Sequence, residues 1–200
     1  MAQLLDKADR IFLTRWLRDP LGTAAVVPSG ADLARLMARQ VDPGRPGTVV
    51  ELGAGTGVIT QALLAAGVLP SRLVVLERDE VLYRLLRTRL PGIAIIRGDA
   101  VNLRAALAGL GIESASAVVS SLPFLVMSER QRQAILEQAR TILDEDGQFI
   151  QFTYGPNCPI PRRRLGAWGW QARAMGTAWM NLPPATVWRF TKWPVAARRG

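Results

Sequence analysis

Histidine is absent from this 200-residue chain, and cysteine occurs once, at Cys158. The first absence removes imidazole general bases, histidine triads and HExxH zinc sites together. The second leaves no internal disulfide and no multi-cysteine zinc site, and it fits a reducing compartment. Long apolar runs are also missing. Although 49% of the residues are hydrophobic and mean hydropathy is +0.13, no uninterrupted run reaches the ~18 residues of a membrane-spanning helix. The N-terminus carries acids and has neither the apolar block nor the small-residue cleavage site of a signal peptide. Acids are few: 16 against 25 Lys and Arg, for a net charge of +9. Such an excess points to a polyanion, either nucleic acid or the anionic face of a bilayer. An arginine-favouring, GC-rich genome would give the same balance with no partner. The length suits one α/β domain with a substantial core.

What is present centres on Val49-Val50-Glu51-Leu52-Gly53-Ala54-Gly55-Thr56-Gly57. It reads as a buried strand, a glycine loop and a helix beginning near Val58. Glycines let the backbone turn sharply and let a ligand lie against it. The dinucleotide fingerprint is G-x-G-x-x-G; here the spacing is G-x-G-x-G, with Val58 where the third dinucleotide glycine would stand. Glu51, two residues ahead of the first glycine, suits a cationic ligand and not a pyrophosphate.

Strands and helices alternate after this point. Strands are expected at 49–52, 72–77, 93–97, 117–120 and 148–154, and helices at 58–66, 80–90, 103–110 and 129–143, the last capped by Ser128. A further helix is expected at 30–40, capped by Ser29, and Asp146-Gly147 reads as a turn. Residues 155–164 read as a proline-rich loop ending in Arg162-Arg163-Arg164. Two closing strands follow, at 168–175 and 185–191. The fold class is α/β with a mostly parallel sheet. Ahead of it, residues 2–18 read as an amphipathic helix with Leu4, Leu5, Ile11, Phe12 and Trp16 on one stripe and Lys7, Arg15 and Arg18 at its flanks. That stripe suits either a bilayer boundary or the protein's own core. The division expected is 1–27, helix and linker, and 28–200, the α/β domain.

Open α/β sheets bind ligands at the carboxyl ends of their strands. Glu51 and Glu77 each stand at such an end, and Gly98-Asp99-Ala100 follows the third strand. The pattern E-x-G-x-G-x-G resembles motif I of class I S-adenosylmethionine (SAM) methyltransferases. That resemblance implies a Rossmann-like sheet with an antiparallel closing strand. It also implies SAM as cofactor (leaving as S-adenosylhomocysteine), held by Glu51, Gly53, Gly55, Thr56, Gly57, Glu77, Arg78, Asp99, Ala100 and Ser120. Glu77 would take the ribose hydroxyls and Asp99-Ala100 the adenine. No metal is called for.

After the fourth strand, Ser120-Ser121-Leu122-Pro123-Phe124 occupies the slot that in adenine-N6 methyltransferases resembles Asn-Pro-Pro-Tyr or Asn-Leu-Pro-Tyr. Those enzymes hold the amine with the amide and a backbone carbonyl and stack the base on the aromatic ring. Ser121 here replaces the Asn and Phe124 the Tyr. An aliphatic amine needs less help, because its lone pair is localised once the proton is gone; its pKa is ~10.4 before any shift. Tyr154, ending the fifth strand, can offer a hydroxyl to phosphate and a π face to an ammonium.

The segments Trp16-Leu17-Arg18-Asp19-Pro20-Leu21, Ser121-Leu122-Pro123, Gln151–Pro156 and Asn181–Phe190 together resemble the bacterial soluble phospholipid N-methyltransferases. The resemblance covers nearly the whole chain. It implies stepwise methylation of phosphatidylethanolamine towards phosphatidylcholine by an enzyme bound peripherally at the cytoplasmic face of the membrane. The partners implied are an anionic membrane surface and a phospholipid, with no nucleic acid and no protein partner in view. Ser121 and Tyr154 would meet the amine, and Phe12, Arg15, Trp16, Arg18 and Arg162–Arg164 the membrane. The rival is a ribosomal RNA adenine dimethyltransferase; Ser121 in place of Asn and the expected lack of a C-terminal helical domain for RNA stand against it. A third reading is a SAM-binding protein without catalysis.

Overall fold

The computed structural model describes residues 28–181 and 183–193. The amphipathic helix expected at 2–18, with Phe12, Arg15, Trp16 and Arg18, lies outside the described residues. Seven strands form one sheet: β1 (Thr48–Leu52), β2 (Leu73–Glu77), β3 (Ala94–Arg97), β4 (Ala115–Ser120), β5 (Leu143–Tyr154), β6 (Trp170–Ala178) and β7 (Ala185–Lys192). Their spatial order is β3-β2-β1-β4-β5-β7-β6. The pairs from β3 to β5 are parallel, whereas β7 runs antiparallel to both its neighbours.

Helices cover both faces. On one lie α1 (Pro28–Ala38), α2 (Val58–Ala65) and α3 (Glu80–Arg89); on the other α4 (Leu103–Ala108), α5 (Glu129–Ile142) and the short α6 (Arg162–Ala167). The period of two along β1 explains how one strand serves both layers. Val49 packs beneath α1 and α2, while Val50 and Leu52 pack beneath α4 and α5. The α5 start follows from its capping box. The Ser128 hydroxyl accepts from the Gln131 backbone N–H at 3.3 Å, and the Gln131 side-chain oxygen Oε1 accepts from the Ser128 N–H at 3.0 Å.

Three expectations need correction. α1 begins at Pro28, so Ser29 lies inside its first turn instead of capping it; proline at the first helical position loses no hydrogen bond there. Asp146-Gly147 is not a free turn. β5 begins at Leu143, opposite Ala115, and the register jumps so that Gln148 next faces Ala117; residues 144–147 bulge within the strand. Arg162–Arg164 are not the end of a loop but the first turn of α6, which Pro161 opens.

The direction of α1 matters for the site. Leu36 packs against Gly176 near the carboxyl end of β6, while the Gln40 carbonyl accepts from the Gln148 side chain at the other end of the sheet. The helix therefore descends from the carboxyl edge, and its first residue, Pro28, is on the side where a ligand would sit.

Candidate active site

Strand order reverses direction between β1 and β4, and such a switch point opens a crevice beyond the strand ends. Backbone bonds lace the loops there. The Leu52 carbonyl accepts from Ser121 N–H at 2.9 Å, Leu76 from Gly53 at 2.8 Å and Glu77 from Gly98 at 3.1 Å. Gly53 has φ +70°, a backbone conformation that side chains rarely adopt, and a Cβ on it would meet Leu122 Cδ2 at 2.9 Å, so the β1–α2 and β4–α5 loops lie in close contact there. Gly55 has φ +59° and nothing within 4 Å of where its Cβ would stand. That open shelf is where a ligand can lie on the backbone. Thr56 is half-buried beside it, and Gly57 caps α2.

The acids converge on this loop. Glu77 is buried, and its carboxylate accepts from Gly55 N–H and Asp79 N–H, each at 2.9 Å. It therefore fixes the shelf from below. Glu51 is fully buried, and neither carboxylate oxygen has a hydrogen-bond partner among the described residues. Burial, its largest cause, raises its pKa from 4.5 to about 7; Glu77 adds to the rise, and the Thr60 hydroxyl and N–H oppose it. Thr60 thus acts on it electrostatically without meeting hydrogen-bond geometry, since its own hydroxyl is also unpartnered. Asp99 accepts from Val101 N–H at 3.1 Å and holds the exposed Arg78 guanidinium at 3.6 Å. Ala100 is buried at the start of the turn that follows.

A buried, unpartnered carboxylate beside an open glycine shelf and a second acid fits a ligand that brings a positive charge and a diol. A pyrophosphate would be repelled. Of the predicted cofactor residues, Ser120 is placed differently: it is fully buried and its hydroxyl accepts from Leu122 N–H at 3.3 Å, so it shapes the loop instead of facing the shelf.

Next to this acid edge lies an apolar depression lined by Leu122, Pro123, Phe124, Leu125, Phe152, Thr153 and Tyr154. Tyr154 is half-buried there, edge-on to Phe152 with ring centroids 5.5 Å apart. Burial pushes its pKa up to about 12, so its hydroxyl is protonated at any ordinary pH. Ser121 does not line the depression. Its hydroxyl is buried and has no hydrogen-bond partner among the described residues. Phe124 is also not the open platform that a stacking role requires: it is 1% exposed and stacks on Phe149 at 5.9 Å in the core.

Sequence reading missed Gln151. It is fully buried in β5, and its amide N–H groups donate to the carbonyls of Leu122 at 2.9 Å and Phe152 at 2.7 Å. The Leu122 carbonyl also accepts from Phe124 N–H at 2.8 Å, so both its lone pairs are engaged. An amide within an apolar strand was the available signal, since burying one without partners is costly. The arginine run reaches the same edge from one side. Arg164 pairs with Glu129, at 3.1 Å, in the first turn of α5, and Arg162 and Arg163 are exposed beside it.

No family model matches the chain. It is 35% identical over 150 residues to an ornithine lipid N-methyltransferase from Singulisphaera acidiphila, covering 73% of this chain and 78% of that one. A ribosomal RNA small subunit methyltransferase A from Anaeromyxobacter dehalogenans is 40% identical over 135 residues, which span 62% of this chain but only 44% of that enzyme. In fold, the chain superposes on the glycopeptide N-methyltransferase MtfA, solved with SAM, at a TM-score of 0.64 and 16% identity, covering 82% of this chain and 94% of that one. The architecture is that of class I SAM methyltransferases.

Proposed function

Since the chain belongs to the SAM-dependent N-methyltransferase family of the Singulisphaera enzyme, we propose that it methylates the primary amine of a membrane lipid, with phosphatidylethanolamine and its mono- and dimethyl forms as substrates on the way to phosphatidylcholine. SAM is the cofactor, and when bound it supplies a methyl group on a cationic sulfur. Glu51, Glu77, Asp99 and the shelf at Gly55 would hold it, matching a cationic amino-acid end, a ribose diol and a base to the acids found there.

The observation that carries the acceptor assignment is the saturated Leu122 carbonyl. The adenine-N6 reading needs that carbonyl and an amide at position 121 to grip a conjugated amine. Here Gln151 and Phe124 occupy the carbonyl and position 121 is a buried serine. An aliphatic amine makes neither demand. It needs only to lose its proton, and the apolar depression favours the neutral form by desolvation. The Tyr154 hydroxyl, protonated there, can accept a hydrogen bond from that amine or donate one to the headgroup phosphate.

Docking is peripheral in this reading. The amphipathic segment 2–18 precedes α1, whose first residue lies on the ligand side, and Arg162–Arg164 flank the same edge. Among the described residues no helix is long and apolar enough to cross a membrane.

The test is methyl transfer from labelled SAM to vesicles containing phosphatidylethanolamine or, in parallel, ornithine lipid, whose amine has the same chemistry. Successive methylated lipid products are expected. Label entering structured RNA but no lipid would overturn the assignment.

A further inference from the structure

Besides 52–71, which holds the glycine loop and the helix after it, three stretches of the sequence contain no charged residue for fifteen positions each: 114–128, 147–161 and 174–188. In a chain with 20% charged residues, their distribution is uneven, and the fold brings all three to one place. The first ends β4 and forms the loop over the depression, the second is β5 with its exit, and the third is the hairpin between β6 and β7. Ala185 faces both Tyr154 and Ala178 in register, and Gly155 N–H donates to the Pro184 carbonyl at 2.9 Å. The hairpin tip therefore stands directly beside the depression. Its two leading residues are the most exposed large apolar side chains described: Trp179 at 77% and Met180 at 72%. On the other side of the depression, Val126 is exposed as well.

We infer that this hairpin tip and the loop at Val126 form a bilayer-docking rim around the acceptor depression. The inference rests on the lipid-amine reading for what the rim delivers, but not for the docking itself. A rim for nucleic acid would set cations around the site, because phosphate contacts dominate that affinity. This rim has none, while the arginines of α6 stand outside it. An uncharged tip carrying tryptophan and methionine, flanked by cations, matches the boundary between acyl chains and anionic headgroups. Lipid meets both the oily tip and the surrounding positive charge. Docked so, the depression faces the headgroup layer, and an amine enters beside Tyr154 without leaving the membrane.

The experiment uses the full chain and vesicles of phosphatidylglycerol and phosphatidylcholine in equal parts, with no amine lipid. The variant Trp179→Ser/Met180→Ser should weaken vesicle partition about tenfold at both low and high salt, with SAM affinity unchanged. Unchanged partition, or a parallel loss of SAM affinity, overturns the inference. In a second variant, Cys158→Ser/Trp179→Cys, an environment-sensitive dye at position 179 should shift to the blue when vesicles are added. A dye that shifts with structured RNA in place of vesicles overturns it. So does one already blue-shifted without lipid, as it would be if the leading segment of the chain covered the tip. Failure of the lipid-amine reading shows separately, as no methyl transfer by the wild-type chain to a short-chain, water-soluble amine lipid.

Discussion

Glu51 is the residue whose chemistry is most sharply set by its surroundings. Its pKa is raised by burial from 4.5 to about 7, so the folded chain holds that proton more tightly than the unfolded one. The stability this contributes is complete below about 4.5, falls as pH rises through about 7 and is gone above it. The fall is on the order of 3 kcal/mol. Urea unfolding without SAM should show it as a difference between pH 5 and pH 8, and Glu51→Gln should remove it. In the SAM site proposed above, Glu51 would have to lose its proton to face the cationic end of the cofactor. SAM affinity, followed by calorimetry, should therefore tighten as pH rises towards about 7 and level off above it, while the Gln variant binds weakly at every pH. Tyr154 behaves oppositely. With its pKa pushed up to about 12, it cannot serve as a phenolate base near neutrality. Tyr154→Phe should lower kcat roughly tenfold to a hundredfold and leave SAM affinity alone. Equal kcat in the variant would assign the ring a packing role only.

At the scale of elements, the loop after β4 depends on a residue one strand away. Gln151 ties the Leu122 carbonyl to β5 and leaves its own Oε1 buried without a partner. Gln151→Leu should destabilise the chain by about 1–3 kcal/mol and lower kcat more than it alters SAM binding; a change in stability alone would show that the tie does not reach the acceptor side. Ser128→Ala, which breaks the α5 capping box, should cost about 1 kcal/mol, or about 2–4 °C in Tm. These elements differ in how legible they were. The β1 strand, its glycine loop and the acids at the strand ends could be read from local pattern, because a buried parallel strand and a sharp turn each demand particular residue types. Ser128 was legible for the same reason. Gln151 and Phe124 were not. Whether a ring stacks on a ligand or on Phe149, and which carbonyl an amide reaches, is decided by tertiary contacts between segments about 25 residues apart. The bulge at 144–147 was hidden because Asp146-Gly147 has turn composition wherever it sits.

For the molecule as a whole, the docking proposed above gives charge and apolar exposure separate tasks. Arg162 and Arg163 are exposed beside the α5–α6 contact, and Arg164 is held by Glu129 in a half-exposed pair that contributes little to stability. Arg162→Gln/Arg163→Gln should weaken association with anionic vesicles by about 1 kcal/mol per arginine. The effect should vanish at high salt and leave Tm unchanged. A salt-independent loss would mean that the arginines act through structure. The contrast with the hairpin variant is direct, since removing apolar contact weakens association whatever the ionic strength.

The reversed strand β7 has a practical consequence. It descends from the tip at Ala185 to Lys192, and Trp193 N–H donates to the Gly169 carbonyl, at the foot of β6. Polypeptide continuing past that point departs roughly 25 Å from the tip, on the opposite margin of the sheet. In the docked arrangement proposed above, a fluorescent protein or purification handle appended there would hang into the aqueous phase, whereas the same cargo fused in front of Pro28 would be wedged between protein and bilayer.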